Sequence, residues 1–275
     1  MAEEREWFRT GSFMSLKPLQ TGVAFVLAFL SGNVWADYTL NMTRGVTSIS
    51  HDMYRLHMTI FWVCVVIGIA VFAVMFYAII YHRHSIGAKA AHFHENTTVE
   101  IIWTIIPVLI LVAMAVPATK VLIKMNDTTD SDLTIKVTGY QWRWEYEYMG
   151  KGVRFLSNLA TPAEQIKNRD VKNPLYLLEV DKPLVVPIGK KIRFLTTASD
   201  VIHSWWVPAL GIKKDAIPGS INEAWAKIEK VGIYRGQCAE LCGVNHGFMP
   251  IVVDARTPEA FEEWLSQQAK KDAQS

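Results

Sequence analysis

The chain has 275 residues, with 28 basic and 26 acidic side chains and a formal net charge of +2. That balance, which holds again over residues 125–275 alone, leaves no bulk charge to attract nucleic acid or a membrane surface. Hydrophobic residues make up 51% of the chain, yet they crowd towards its front instead of spreading as a single globular core would.

The first apolar run, Thr21–Ser31, is too short for a hydrocarbon core that takes about 20 residues. It follows Lys17 and precedes Val34-Trp35-Ala36, small residues at the spacing a signal peptidase reads, so residues 1–36 are expected to be a cleaved leader. Glu3, Glu4 and Glu6 give the far N-terminus the wrong charge for such a leader, whereas a start at Met14 instead of Met1 gives a conventional one. The mature chain would begin at Asp37.

From Met58 to Tyr81 there is no charged side chain, and Arg55 and Arg83 flank the run. Ile101–Thr119 is similar, with Trp103 near one end and Lys120 and Lys124 placed to snorkel at the other. The expectation is a transmembrane hairpin within residues 37–125, its helices at about 56–81 and 99–122. The alternative is a pair of buried helices in a soluble core. A hairpin puts the mature N-terminus and everything after residue 124 on one side. The leader makes that side the outside of a bacterial cytoplasmic membrane, because Lys and Arg flank both ends and decide nothing. His82, His84, His92 and His94 between the helices read as a headgroup-level polar segment rather than a metal tract. Glu100 falls where the second helix begins, a position that the helix dipole favours for a carboxylate.

Asn126–Asp132 is a polar hinge, and a different pattern follows over residues 126–275. Leu133–Tyr140 and Lys191–Thr197 alternate at period two, and Leu175–Val180 and Leu184–Ile188 are short β-rich runs. Turn residues separate them at Asn173-Pro174, Asp181-Lys182-Pro183, Pro187-Ile188-Gly189 and Ile217-Pro218-Gly219. An antiparallel sandwich or barrel is expected. At the end, Thr257-Pro258-Glu259 supplies an N-cap, a first-turn proline and an acidic residue, so a C-terminal helix starts there. No Cys-x-x-Cys-His motif occurs, which excludes covalently attached haem of that kind.

Gly236–Met249 holds Cys238, Cys242, His246 and Met249, with His203 upstream. Thiolate and thioether sulfurs select soft or borderline metals, imidazole suits copper among others, and copper satisfies both. A mononuclear blue-copper site has one cysteine fewer. The surplus thiolate leaves three readings: tetrahedral zinc from two Cys and two His, two metal ions sharing the thiolates, or a Cys238–Cys242 disulfide. Zinc has no use for Met249 and usually takes ligands in two close pairs. The disulfide leaves His203, His246 and Met249 without a reason to converge.

Cys238-x-Glu240-x-Cys242-x3-His246-x2-Met249, with Ser199–Trp205 before it, resembles subunit II of the haem-copper cytochrome c oxidases. Gly139–Tyr148, an aromatic segment, and Glu100–Pro107, the opening of the second helix, match that family too, so the likeness spans about residues 40–265. It implies a two-helix hairpin followed by an all-β cupredoxin-like Greek-key barrel that carries the dinuclear copper centre called CuA. Residue by residue, Cys238 and Cys242 would bridge two coppers, His203 and His246 would each bind one, and Met249 and the carbonyl of Glu240 would be weaker ligands. Shared thiolates delocalise one unpaired electron, so its gain or loss changes bond lengths little, and a rigid β frame strengthens the effect.

The resemblance also implies that electrons come from cytochrome c through Trp142 and leave for a haem in subunit I, where oxygen becomes water with proton pumping. Without it, Trp142 is only one more aromatic in an alternating strand. The Glu240 carboxylate would help hold a magnesium or manganese ion shared with subunit I. Glu100 would sit at the mouth of a proton-uptake path. Asp200, three residues before His203, is expected from its position to support that ligand or shape its loop. A membrane-anchored copper-delivery protein is the alternative, but it has little need of six ligand positions or of the tryptophan segment. Nitrous oxide reductase would need a large second domain.

Overall fold

The computed structural model describes residues 41–89 and 94–272, so the leader expected at residues 1–36 lies outside the described residues, as does His92. Helix α1, Ser48–Tyr81, begins two turns earlier than the apolar pattern indicates. The cause is a capping box: Thr47 Oγ1 accepts from the Ser50 amide at 3.0 Å, and Ser50 Oγ accepts from the Thr47 amide at 3.0 Å. Thr47 Oγ1 also donates to the Leu210 carbonyl at 2.9 Å, so contact with the β domain fixes a start that polar His51, Asp52 and Arg55 conceal.

Helix α2, Thr97–Asn126, is capped by Asn96, whose side chain accepts from the Val99 amide at 3.2 Å. At 1.5 Å per residue the helices are about 51 and 45 Å long, against a hydrocarbon core of about 30 Å, so their polar ends project beyond it. None of the most apolar stretch of either helix is buried, and Trp103 is 62% exposed. Such surface needs a lipid or protein neighbour, and the two helices are not the buried core of a soluble domain. Lys124 Nζ meets Asp52 Oδ2 at 2.6 Å and closes the hairpin beside the β domain.

Ten strands follow: β1 Leu133–Tyr140, β2 Arg143–Tyr148, β3 Val153–Ser157, β4 Leu184–Pro187, β5 Lys191–Ala198, β6 His203–Val207, β7 Ile212–Ala216, β8 Asn222–Lys227, β9 Gly232–Cys238 and β10 Pro250–Arg256. They form two five-stranded sheets, ordered β3-β2-β1-β5-β8 and β4-β10-β9-β6-β7. This is the expected cupredoxin-like domain in its sandwich form. Pairing is mostly antiparallel, with β1 parallel to β5 and β4 parallel to β10. Alternation supplies the core: Ile135, Val137, Trp144 and Tyr146 from one sheet meet Trp205, Val207, Ile251 and Val253 from the other, all fully buried. Phe194 stacks on Trp205 across the sandwich with centroids 5.0 Å apart.

Leu175–Val180, expected as a strand, forms turns instead. Asn173 Oδ1 accepts from the Leu175 amide at 2.8 Å, Leu177 takes φ 60, and its amide donates to Thr161 Oγ1 at 3.0 Å. Local hydrogen bonds outweigh β propensity there, and the segment's β pairing is limited to an isolated bridge between Val180 and Leu159. Helix α3, Pro258–Asp272, starts at Thr257 as expected and buries Phe261 and Leu265 against the sandwich.

Candidate metal centre

Strand register brings the ligand segments together. β6 and β9 run antiparallel with Trp205 opposite Cys238, and the Ala239 amide donates to the Ser204 carbonyl at 3.0 Å. His203 therefore lies beside the turn at residues 238–240. β10 pairs with β9 from Pro250 opposite Gln237, which returns Met249 to the same end of the sheet. Trp144 Nε1 donates to the Met249 carbonyl at 3.3 Å and ties that corner to the other sheet.

Cys238 Sγ lies 3.9 Å from His203 Nδ1 and 3.9 Å from Cys242 Sγ. Cys242 Sγ is 3.5 Å from His246 Nδ1 and 3.5 Å from Met249 Sδ, and the Cys238 thiol donates to the Glu240 carbonyl at 3.3 Å. The cysteines are separate thiols. Cys238, Cys242, Met249 and His203 are buried, and His246 is half-buried. Three sulfurs and two imidazole nitrogens thus share one pocket, a donor set that suits a borderline-to-soft cation and fits copper. Among the described residues, His203, Cys238 and Cys242 form the group whose ligand atoms all lie within 4.8 Å of one another.

His203 is aimed by what surrounds it. Asp200 Oδ1 is 2.9 Å from Nε2, leaving Nδ1 to face the sulfurs. Gly139 is behind the ring, where a Cβ would come within 2.7 Å of Cδ2, and Trp144 meets the ring edge-on at 5.9 Å. The charges follow. Burial raises the Cys238 thiol, but His203 and the backbone at Ser204 and Glu240 outweigh it and bring that thiol down to about 7. Burial and then the Cys238 sulfur push Cys242 up to about 12. Burial lowers His203, while Cys238 and Asp200 raise it by more. Cys238 is thus the more acidic thiol of the pair, and a cation bound there would replace thiol protons.

Gln141 and Trp142 form the tip of the β1–β2 hairpin. Trp142 Nε1 and Gln141 Nε2 both donate to the Cys242 carbonyl, at 3.1 and 2.9 Å, while the Gln141 amide donates to Asp200 Oδ2 at 2.7 Å. Sequence reasoning missed Gln141 and Gly139: Gly139 lies near the end of β1 and Gln141 in the two-residue turn after it, and only the packing of this hairpin against His203 and Cys242 gives them a role. The Glu240 side chain is exposed although its carbonyl meets Cys238. Glu100 is exposed in the first turn of α2, at the far end of that helix from the centre. His82, His84 and His94 are exposed and belong to no metal-capable group among the described residues.

A cupredoxin-like sandwich that gathers sulfur and imidazole donors at one end and hangs from an apolar helical hairpin defines a class: a membrane-tethered soft-metal redox domain. Comparison with known proteins makes this specific. Residues 133–256 match the family model of the periplasmic domain of cytochrome c oxidase subunit II, and residues 35–121 match that of its transmembrane domain. The chain is 40% identical over 249 residues to "Probable cytochrome c oxidase subunit 2" of Rickettsia bellii, covering 90% of this chain and 91% of the relative. It is 39% identical to cytochrome c oxidase subunit 2 of Mycosarcoma maydis, covering 82% and 89%. The crystal structure of the periplasmic domain of subunit II of cytochrome oxidase from Bradyrhizobium japonicum is 44% identical, with a TM-score of 0.47 and coverage of 52% and 98%.

The chain belongs to the cytochrome c oxidase subunit II family. It is an electron-transfer subunit of a haem-copper oxidase, an oxidoreductase complex, and a membrane protein whose β domain is of the family's periplasmic kind.

Proposed function

We propose that the chain receives single electrons from cytochrome c at a dinuclear copper centre and passes them to a haem in subunit I of a bacterial inner-membrane oxidase, where oxygen is reduced to water with proton pumping. One observation carries the reading: two buried thiols stand 3.9 Å apart with three further sulfur or imidazole donors around them. His203, Cys238, Cys242, His246, Met249 and the Glu240 carbonyl would hold the copper. Copper bound there supplies a one-electron store shared by two ions.

The chain's own residues do the rest. The sheets fix both thiols, so the ligands need little rearrangement when charge arrives. Asp200 keeps His203 turned towards the sulfurs. Trp142 is where electrons enter, since its indole meets the backbone of Cys242 directly. The exposed Glu240 side chain supplies a hard carboxylate oxygen for a magnesium or manganese ion at the subunit I interface. Glu100 is the entrance for protons, and near-wild-type turnover of an assembled Glu100→Ala oxidase would remove that role. Residues 1–36 are the leader that exports the β domain.

The test is electron paramagnetic resonance of the copper-loaded full chain. Two equivalent copper nuclei sharing one electron give a seven-line hyperfine pattern. A four-line spectrum means one copper and defeats the proposal.

A further inference from the structure

Arg44, His51, Tyr54 and Arg55 line an open cavity of about 390 Å³ at the start of α1. Guanidinium, imidazole and phenol groups can all donate hydrogen bonds, so each lining side chain suits an oxyanion. The acidic neighbours are already engaged. Asp52 lies between Arg55 at 2.9 Å and Lys124 at 2.6 Å, and Glu229 is 3.7 Å from His51. Arg44 lies over the Tyr54 ring at 5.3 Å and has no carboxylate partner among the described residues. The cavity is left with surplus positive charge.

Its depth points to the ligand's source. Leu56–Tyr81 carries no Lys, Arg, Asp or Glu and extends about 39 Å at 1.5 Å per residue, longer than a hydrocarbon core of about 30 Å. The surplus length puts Tyr54 and Arg55 just outside the hydrocarbon, level with the headgroups. Below them Phe61 and Trp62 are 45% and 57% exposed, which gives acyl chains a surface to lie on.

We propose that this cavity binds the headgroup phosphate of an anionic phospholipid from the outer leaflet. Arg44 and Arg55 take the phosphate oxygens as forked donors, and Tyr54 and His51 complete the ring. The site is separate from the metal centre and does not depend on which metal that centre holds. A free phosphate would meet the same donors but gain nothing from the apolar helix beneath them.

Native mass spectrometry of the detergent-solubilised full chain, titrated with short-chain phosphatidylglycerol or phosphatidylcholine of the same acyl length, tests this. Phosphatidylglycerol should bind at least about tenfold more tightly, about 1.4 kcal/mol, because the choline cation of phosphatidylcholine offsets its phosphate charge and is repelled by Arg44 and Arg55. Arg44→Gln should erase that preference, and Arg44→Lys should keep part of it. Among the described residues Arg44 makes no side-chain hydrogen bond, and circular dichroism checks that each variant folds. Equal binding of the two lipids, or an unchanged preference in Arg44→Gln, overturns the proposal. Displacement of phosphatidylglycerol by millimolar inorganic phosphate overturns it too, since the site would then be a plain anion site.

Discussion

Trp142 donates its indole N–H to the carbonyl of Cys242 at 3.1 Å, so a side chain at the tip of one hairpin touches the backbone of a proposed copper ligand in the loop between β9 and β10. Trp142→Phe keeps an aromatic ring and removes that bond. Electron transfer from reduced cytochrome c to the assembled oxidase, followed by stopped flow, should slow by about tenfold or more, each factor of ten being about 1.4 kcal/mol in the barrier. The copper spectrum should not change. A wild-type rate together with a lower melting temperature would make Trp142 a packing residue only.

Asp200 positions His203 through the contact at 2.9 Å and also accepts from the Gln141 amide at 2.7 Å, so one carboxylate sets both the ligand ring and the tryptophan hairpin. Removing such an outer partner costs about 10–100-fold in metal affinity. Asp200→Asn should therefore lose copper to a competing chelator at lower chelator concentration than the wild type. Identical competition curves would mean that the loop holds His203 without Asp200.

The metal loop was legible in the sequence because Cys238, Cys242, His246 and Met249 fall within one short segment and their chemistry has few other uses. The hairpin was legible because charge is missing over spans of membrane length. Gly139 and Gln141 were not, since their roles depend on a pairing between strands far apart in the chain. The start of α1 was hidden for a related reason: the Thr47 cap is stabilised by Leu210, a contact that local composition cannot reveal. Leu175–Val180 misled in the opposite direction, because a β-rich composition was overruled by the Asn173 and Thr161 side chains bonding to the backbone.

Two glycines near the centre should behave oppositely. A Cβ at Gly139 would lie 2.7 Å from His203 Cδ2 and 2.9 Å from Cγ, whereas at Gly247, inside the ligand loop, nothing lies within 4 Å. Gly139→Ala should destabilise the β domain by about 1–3 kcal/mol, the usual range for overpacking, and weaken copper binding by turning the ring. Gly247→Ala should leave both close to wild type. Urea unfolding and copper titration of the two variants decide it, and equal behaviour would show that the His203 ring yields without cost.

Glu223 gives the β domain a predictable acid sensitivity. Its carboxyl is held below the ordinary range first by hydrogen bonding to Arg193 and then by Thr128, whose hydroxyl donates to Oε2 at 2.7 Å. A carboxyl depressed in the folded state binds fewer protons there than in the unfolded chain, so stability rises with pH. The contribution is complete above the unfolded value of about 4.3 and is lost as pH falls through the lower folded value. Thr128 follows α2, and Trp225 on the same strand donates to the Lys124 carbonyl at 3.0 Å, so acid should loosen the junction of hairpin and sandwich. Melting temperature measured by circular dichroism from pH 6 down to pH 2 should fall more steeply for the wild type than for Glu223→Gln. Parallel curves would mean that Glu223 keeps the same proton affinity in both states and that acid sensitivity arises elsewhere.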